Sequence, residues 1–94
     1  MKYSKVIVIP IISNNGNIIK NHYTIVTEQG TYFQSYGEII AFVPGDTGKK
    51  ILLDKNNWDK TLTTRSRREN FLCEPHCDTV AAIENLFYDM VDLN

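Results

Sequence analysis

The stretch Trp58-Asp59-Lys60-Thr61-Leu62-Thr63-Thr64-Arg65-Ser66-Arg67-Arg68-Glu69-Asn70-Phe71-Leu72 is where this chain stops patterning as strand and starts patterning as helix. Asn56 and Asn57 break the β pattern just before it. Thr61, Thr63 and Thr64 each offer a side-chain oxygen to cap a helix N-terminus, and Ser66 with Glu69 stands at capping-box spacing as a further option. Pro75 cannot sit inside a helix, because it lacks an N–H and its ring clashes with the preceding turn. A short helix running toward Leu72 is the expectation.

Everything before this stretch patterns as β. Lys5 to Ile12 is almost continuously apolar and β-branched, which suits a strand buried on both faces, while Pro10 places it near an edge or at a bulge. Ser13 to Asn17 is a turn cluster, so Ile18 to Glu28 returns as the second strand of a hairpin. Gln29 and Gly30 reverse the chain, and Thr31 to Val43 forms a third strand with a bulge or close backbone approach at Gly37. Pro44 to Gly48 turns again, and Lys49 to Asp54 is a short fourth strand.

After Pro75, Asp78 or Thr79 stands where an N-cap belongs. Val80, Ile83, Leu86, Phe87, Met90 and Val91 then trace one helical face opposite Glu84, Asp89 and Asp92. The expected fold class is therefore α+β. It has a four-stranded antiparallel meander sheet followed by a short helix and a C-terminal amphipathic helix packed on one face. Ninety-four residues, 43% of them hydrophobic, fit a single domain over 1–94 and leave no room for a second core.

Composition excludes some classes of function. The apolar runs Val6–Ile12 and Ile39–Val43 fall well short of the roughly 20 residues that span a bilayer, so no membrane partner is expected. The first run leads into a turn rather than a small-residue cleavage pattern, and is expected to be a strand rather than an export signal. Cys73 and Cys77 are too few and too close for a disulfide framework, which points to a reducing, cytoplasmic setting. The net charge of -1 hides a polarised chain: residues 1–73 hold all ten Lys and Arg against six acids, and residues 74–94 hold five acids and no base. Glu84, Asp89 and Asp92 are thus a secondary acidic surface, with a simple solvated helix face as the plainer account.

Several motifs fail on spacing. Gly45-Asp46-Thr47-Gly48-Lys49-Lys50 has two residues between its glycines where a phosphate-binding loop needs four, and leads into a strand. Cys73, His76 and Cys77 put three zinc-type ligands within five residues, one short of a tetrahedral set unless His22 joins them, so no metal is assigned. Nor does a Cys and His pair close in sequence, with no third orienting group, make a nucleophilic site. No cofactor and no catalytic residue is expected.

The strongest local chemistry is the interleaving of Lys60, Arg65, Arg67 and Arg68 with Thr61, Thr63 and Thr64. Guanidinium forks, hydroxyls and a helix N-terminus together suit a phosphate, a carboxylate or an acidic protein surface, and these seven residues form the candidate contact surface. The plainer account is a solvated or internally paired face. Trp58, Tyr32, Phe33 and Tyr36 have two readings, stacking on bases or, the plainer account at strand spacing, packing in the core.

Gln34-Ser35-Tyr36 with Ile39-Ile40-Ala41, then Leu53-Asp54, Trp58-Asp59, Thr63-Thr64, Arg68, Asn70 and Phe71-Leu72 resemble a family of small bacteriophage proteins that share a QSY/IIA strand and a WD/TT/FL segment. The resemblance covers about residues 32 to 72; Thr61 and Arg67 depart from the family's usual Ser and Tyr in that neighbourhood. It implies a phage-encoded protein acting in the host bacterial cytoplasm; phage proteins of this size commonly bind and block a host component, and inhibitors of bacterial immunity such as anti-CRISPR proteins are a prominent class of them. The leading expectation is a non-enzymatic inhibitor that binds a host protein, or a protein–nucleic acid complex, stoichiometrically. The alternatives are a sponge for an anionic nucleotide signal and a nucleic-acid-binding accessory protein.

Overall fold

The computed structural model describes residues 5–94. It is an α+β fold with one six-stranded mixed sheet and two helices, in the order β1 (Ile7–Ile12), β2 (Ile18–Val26), β3 (Gly30–Ser35), β4 (Glu38–Pro44), β5 (Ile51–Asp54), α1 (Leu62–Leu72), α2 (His76–Glu84) and β6 (Tyr88–Val91). The strands lie side by side in chain order. All neighbours are antiparallel except β5 and β6, which are parallel, with Ile51 opposite Tyr88 and Asp54 opposite Val91. No helix among the described residues is long and apolar enough to cross a membrane.

The meander expected from the sequence is present, but it contains one strand more than the four expected. Thr31 to Val43 is two strands joined at Tyr36-Gly37, both with positive φ (51° and 80°), so Ser35 and Glu38 face each other across a two-residue turn. Paired positive φ values match the right-handed twist of the flanking strands, which is why such turns close hairpins. Tyr36 has a Cβ that disfavours this conformation. Its ring lies edge-on to His22 at 4.9 Å, and its N–H donates to the Asn21 carbonyl.

The C-terminal helix is shorter than the sequence pattern implied. It ends at Asn85, whose side-chain amide donates to the Ala81 carbonyl, and Leu86 turns the chain at φ 61°. Val80 and Ile83 belong to α2, whereas Met90 and Val91 belong to β6. A parallel partner for β5 requires a long crossover, and α1 with α2 supply it. The alternation Tyr88, Met90 then faces the core from β6, and both side chains pack against it.

Phe33, Ile40, Ala41 and Leu53 form the buried apolar centre, with Ile11, Ile51, Trp58, Phe71, Leu72, Ile83, Tyr88 and Met90 packed around it. Ile40 and Ala41 are consecutive yet both buried. The pairing of β3 with β4 shifts between Phe33 and Gln34, so β4 carries an extra residue that turns both side chains inward. Gly30 is required where β3 starts: a Cβ there would lie 2.3 Å from the Val43 carbonyl oxygen and 2.8 Å from the Phe42 ring.

β1 departs most from expectation. Instead of being buried on both faces it is mostly exposed, with only Ile11 reaching the core and Ile7, Val8 and Ile9 each about half exposed, together with Val6, Ile12 and Ile18. It is the sheet's edge strand, consistent with Pro10, which has no N–H to give a further neighbour.

Candidate functional site

Thr61 is the N-cap of α1. It adopts an extended conformation, and its hydroxyl oxygen accepts from the Thr64 N–H at 3.0 Å. The Thr61 hydroxyl in turn donates to the Thr64 hydroxyl, which lies 3.1 Å from Ser35 Oγ, which lies 3.0 Å from His22 Nε2. His22 Nδ1 is 2.8 Å from the Lys20 carbonyl. A carbonyl can only accept, so Nδ1 carries the proton, Nε2 accepts from Ser35, and Ser35 accepts from Thr64. One directed chain of hydrogen bonds thus runs from the helix cap to β2. Thr64, Ser35 and His22 are all buried, which makes this a satisfied polar network that fixes α1 on the sheet.

One turn further along α1, Arg68 is the largest fully buried side chain. Nη1 donates to the Trp58 carbonyl and to Asp59 Oδ1 at 3.2 Å, and Nη2 donates to His76 Nδ1 at 2.7 Å. The guanidinium lies over the Trp58 ring at 4.8 Å, and His76 stacks on the same ring at 5.7 Å. Burial lowers the Arg68 pKa, opposed by the hydrogen bond and charge of Asp59. Arg65 meets the same carboxylate with two parallel hydrogen bonds of 2.8 Å. Asp59 is held below the ordinary carboxylate range, first by the Arg65 hydrogen bond and further by Arg68, against the opposing effect of its partial burial.

The seven residues of the candidate surface therefore separate. Lys60 pairs with Glu38 at 2.7 Å, Arg65 and Arg68 pair with Asp59, Thr61 caps the helix, and Thr64 is a link in the buried chain. Thr63 is exposed. Arg67 alone of the four bases has neither an ion pair nor a side-chain hydrogen bond among the described residues, and its Nε is buried without a partner. The three acids do not share a face: Glu84 ends α2, Asp89 lies on β6 within 3.5 Å of Lys50, and Asp92 accepts from the Asn94 N–H.

Cys73, His76 and Cys77 form no metal-binding cluster among the described residues. Cys73 is the left-handed C-cap of α1, His76 Nδ1 is taken by Arg68, and both thiols are exposed and free. Glu74, which sequence reasoning passed over, accepts from the Thr79 and Tyr88 hydroxyls, and burial with this carboxylate raises the Tyr88 pKa. Asp54 was visible only as a motif letter. It is buried and accepts from the Asn56 and Leu93 N–H groups and the Asn57 amide; these hydrogen bonds outweigh the raising effect of burial and lower its pKa.

Two cavities open on the surface. One, of about 470 Å³, is lined by Glu69, Asn70, Cys73, Glu74 and Pro75 at the α1–α2 junction. Its carboxylates are engaged, Glu69 by the His76 N–H and Glu74 as above. The other, of about 260 Å³, lies between the β1–β2 hairpin and α1. Comparison with protein-family models, with curated proteins and with solved structures returned no match.

Proposed function

We propose that this chain is a stoichiometric protein-binding inhibitor, of the phage anti-defence type implied by its motif, with the β1–β2 edge as its main contact surface. The observation that carries this reading is the cluster of half-exposed Val6, Ile7, Val8, Ile9, Ile12 and Ile18 on an open sheet edge. Contiguous apolar surface on an edge strand is a liability for a free monomer and is characteristic of surfaces that add to a partner. The segment Val6 to Ile12 carries no charge that would oppose such docking.

The nucleotide-sponge and nucleic-acid alternatives draw little from the same geometry. Lys60, Arg65 and Arg68 are neutralised within the molecule, so no free basic cluster faces solvent at α1. The buried Ser35–His22 pair likewise offers no accessible nucleophile.

The test is affinity capture from lysate of a bacterium with an active immune system, alongside phage plating on cells expressing the chain. Wild type is expected to retain one host protein in fixed ratio and to raise plating efficiency. Val8→Lys, on the exposed edge, is expected to lose both while remaining folded. Turnover of a substrate by the purified chain, with no complex formed, would overturn the reading.

A further inference from the structure

The 260 Å³ cleft between the hairpin and α1 is lined by Ile11, Ile12, Thr24, Arg67, Asn70 and Phe71. Arg67, Asn70 and Phe71 share one face of α1 by their i, i+3 and i+4 spacing. Thr24 pairs across the sheet with Phe33, whose ring stacks on Phe71 at 5.5 Å, so Thr24 lies on the helix-facing side. One wall is therefore apolar, from Ile11, Ile12 and Phe71. The polar groups that converge on the cleft are a guanidinium, a hydroxyl and a side-chain amide.

None of those three polar side chains is in use. No hydrogen bond among the described residues engages the Arg67 guanidinium, the Thr24 hydroxyl or the Asn70 side-chain amide, and Arg67 Nε is buried without a partner. A buried unpaired donor on a cation is costly, and Arg68 Nε is a second one, but Nη1 and Nη2 of Arg68 are engaged whereas Arg67 has no partner at any nitrogen among the described residues. Every other base in the α1 segment has a carboxylate. Arg67 lacks one, and it faces a cavity large enough to admit one.

We propose that this cleft is a binding site for a carboxylate carrying a short apolar group. The planar guanidinium matches a carboxylate with two parallel hydrogen bonds from its Nη groups, the buried Nε lying behind them. Thr24 and Asn70 complete its polar shell, and Ile11, Ile12 and Phe71 take the apolar body. A phosphate fits less well: it carries more charge than one guanidinium neutralises, and the apolar wall would strip its hydration without return. The volume lies just below the range of drug-sized pockets, which suits a small acid or a single acidic side chain beside an apolar one. This assignment shares Ile12 with the β1 edge but is tested separately from it, because Val8→Lys leaves every lining residue in place and Arg67→Gln leaves the edge unchanged.

The experiment is a titration followed by the Arg67 Nε–H resonance and the Ile11 and Ile12 methyl resonances. The probes are 4-methylpentanoate, its uncharged amide, inorganic phosphate, and the blocked tripeptide acetyl-Leu-Asp-Leu-amide. Saturable shifts of all three sets by 4-methylpentanoate are expected, with affinity about tenfold weaker for the amide and for Arg67→Gln. Tighter binding of the tripeptide than of the free acid would support the site and make its natural occupant an acidic residue of a protein chain. Tighter binding of the free acid would support it as a small-molecule site. Absence of shifts with both carboxylates, equal binding of the amide, equal binding by Arg67→Gln, or a matching response to phosphate would overturn the proposal. Arg67 makes no internal bond, so Arg67→Gln is expected to keep the wild-type fold; Thr24→Ala, which should weaken carboxylate binding several-fold, provides a second variant.

Discussion

The α1 segment and the β1–β2 hairpin exchange the roles their compositions suggest. The first is rich in arginine and hydroxyls and has the composition of a ligand-binding surface, yet Arg68 is buried against Trp58, Asp59 and His76, and Thr64 is buried with Ser35 and His22. The second is almost purely apolar and has the composition of a core strand, yet Ile7, Val8 and Ile9 face solvent. Polar residues become architecture when each donor finds an acceptor within the fold. Apolar residues become surface when the covering layer stops short of them. Here α1 lies over β3 and leaves the hairpin open.

The sharpest break of this contrast is Arg68→Ala. It removes the partner of the Trp58 carbonyl and of His76 Nδ1, and one of the two cations on Asp59. A loss of about 3–5 kcal/mol is expected in urea unfolding, enough to unfold much of a small domain. Arg68→Met is expected to lose less, because its side chain fills much of the buried volume that Arg68→Ala leaves empty. Capture experiments aimed at a contact surface should accordingly leave Arg68 unchanged.

Ser35→Ala comes next. It strands both the Thr64 hydroxyl and His22 Nε2 inside the sheet–helix layer, for an expected cost of about 1–3 kcal/mol by thermal or urea unfolding. Ser35→Thr tests whether the loss is chemical, since it restores a hydroxyl at the expense of an added methyl.

A smaller, pH-dependent effect follows from Asp59 and Asp54, whose hydrogen bonds hold both folded pKa values below the ordinary carboxylate range. The unfolded chain therefore takes up protons first on acidification. Their contribution is fully present above the unfolded pKa and is lost as pH falls through the folded one, so stability should begin to drop as pH falls below about 5. Asp59→Asn, measured by urea midpoint across pH 3 to 7, should reduce that slope; an unchanged slope would remove the ion-pair account.

The smallest effect belongs to the hairpin. Val8→Lys and Ile9→Lys are expected to leave the urea midpoint within about 0.5 kcal/mol of wild type, because each side chain is already half in water. A large loss at either position would show that the edge is core after all.

Much of the layout was legible in the sequence where local chemistry decides. Ser13 to Asn17 turns the first hairpin, Thr61 is one of the three caps the pattern offered, and Pro75 separates the two helices. The Tyr36 turn was not legible, because a tyrosine enters positive φ only with tertiary support such as the His22 contact. Neither was β6: Met90 and Val91 continue the helical face of Val80 and Ile83 while also fitting a strand, and only the vacant side of β5 decides between them. The α1 segment did contain one signal of internal pairing, Asp59 beside Trp58 and six and nine residues before Arg65 and Arg68, but its partners are fixed by the fold rather than by spacing. Of the sixteen residues on which the resemblance rests, Ser35, Ile40, Ala41, Leu53, Asp54, Thr64 and Arg68 are buried and only Tyr36, Thr63 and Asn70 are exposed, so most of them serve the fold rather than a surface.

The parallel pairing of β5 with β6 gives the molecule a defined order of assembly. The first four strand pairings join neighbours in the chain and form locally, whereas Ile51 must wait for Tyr88, and Ile39 for the Asn94 side chain that bonds its N–H at 2.7 Å and its carbonyl at 2.9 Å. Contacts across such separations close late. On the ribosome the hairpin emerges before the residues that complete the sheet, so its apolar edge is exposed before the fold is finished.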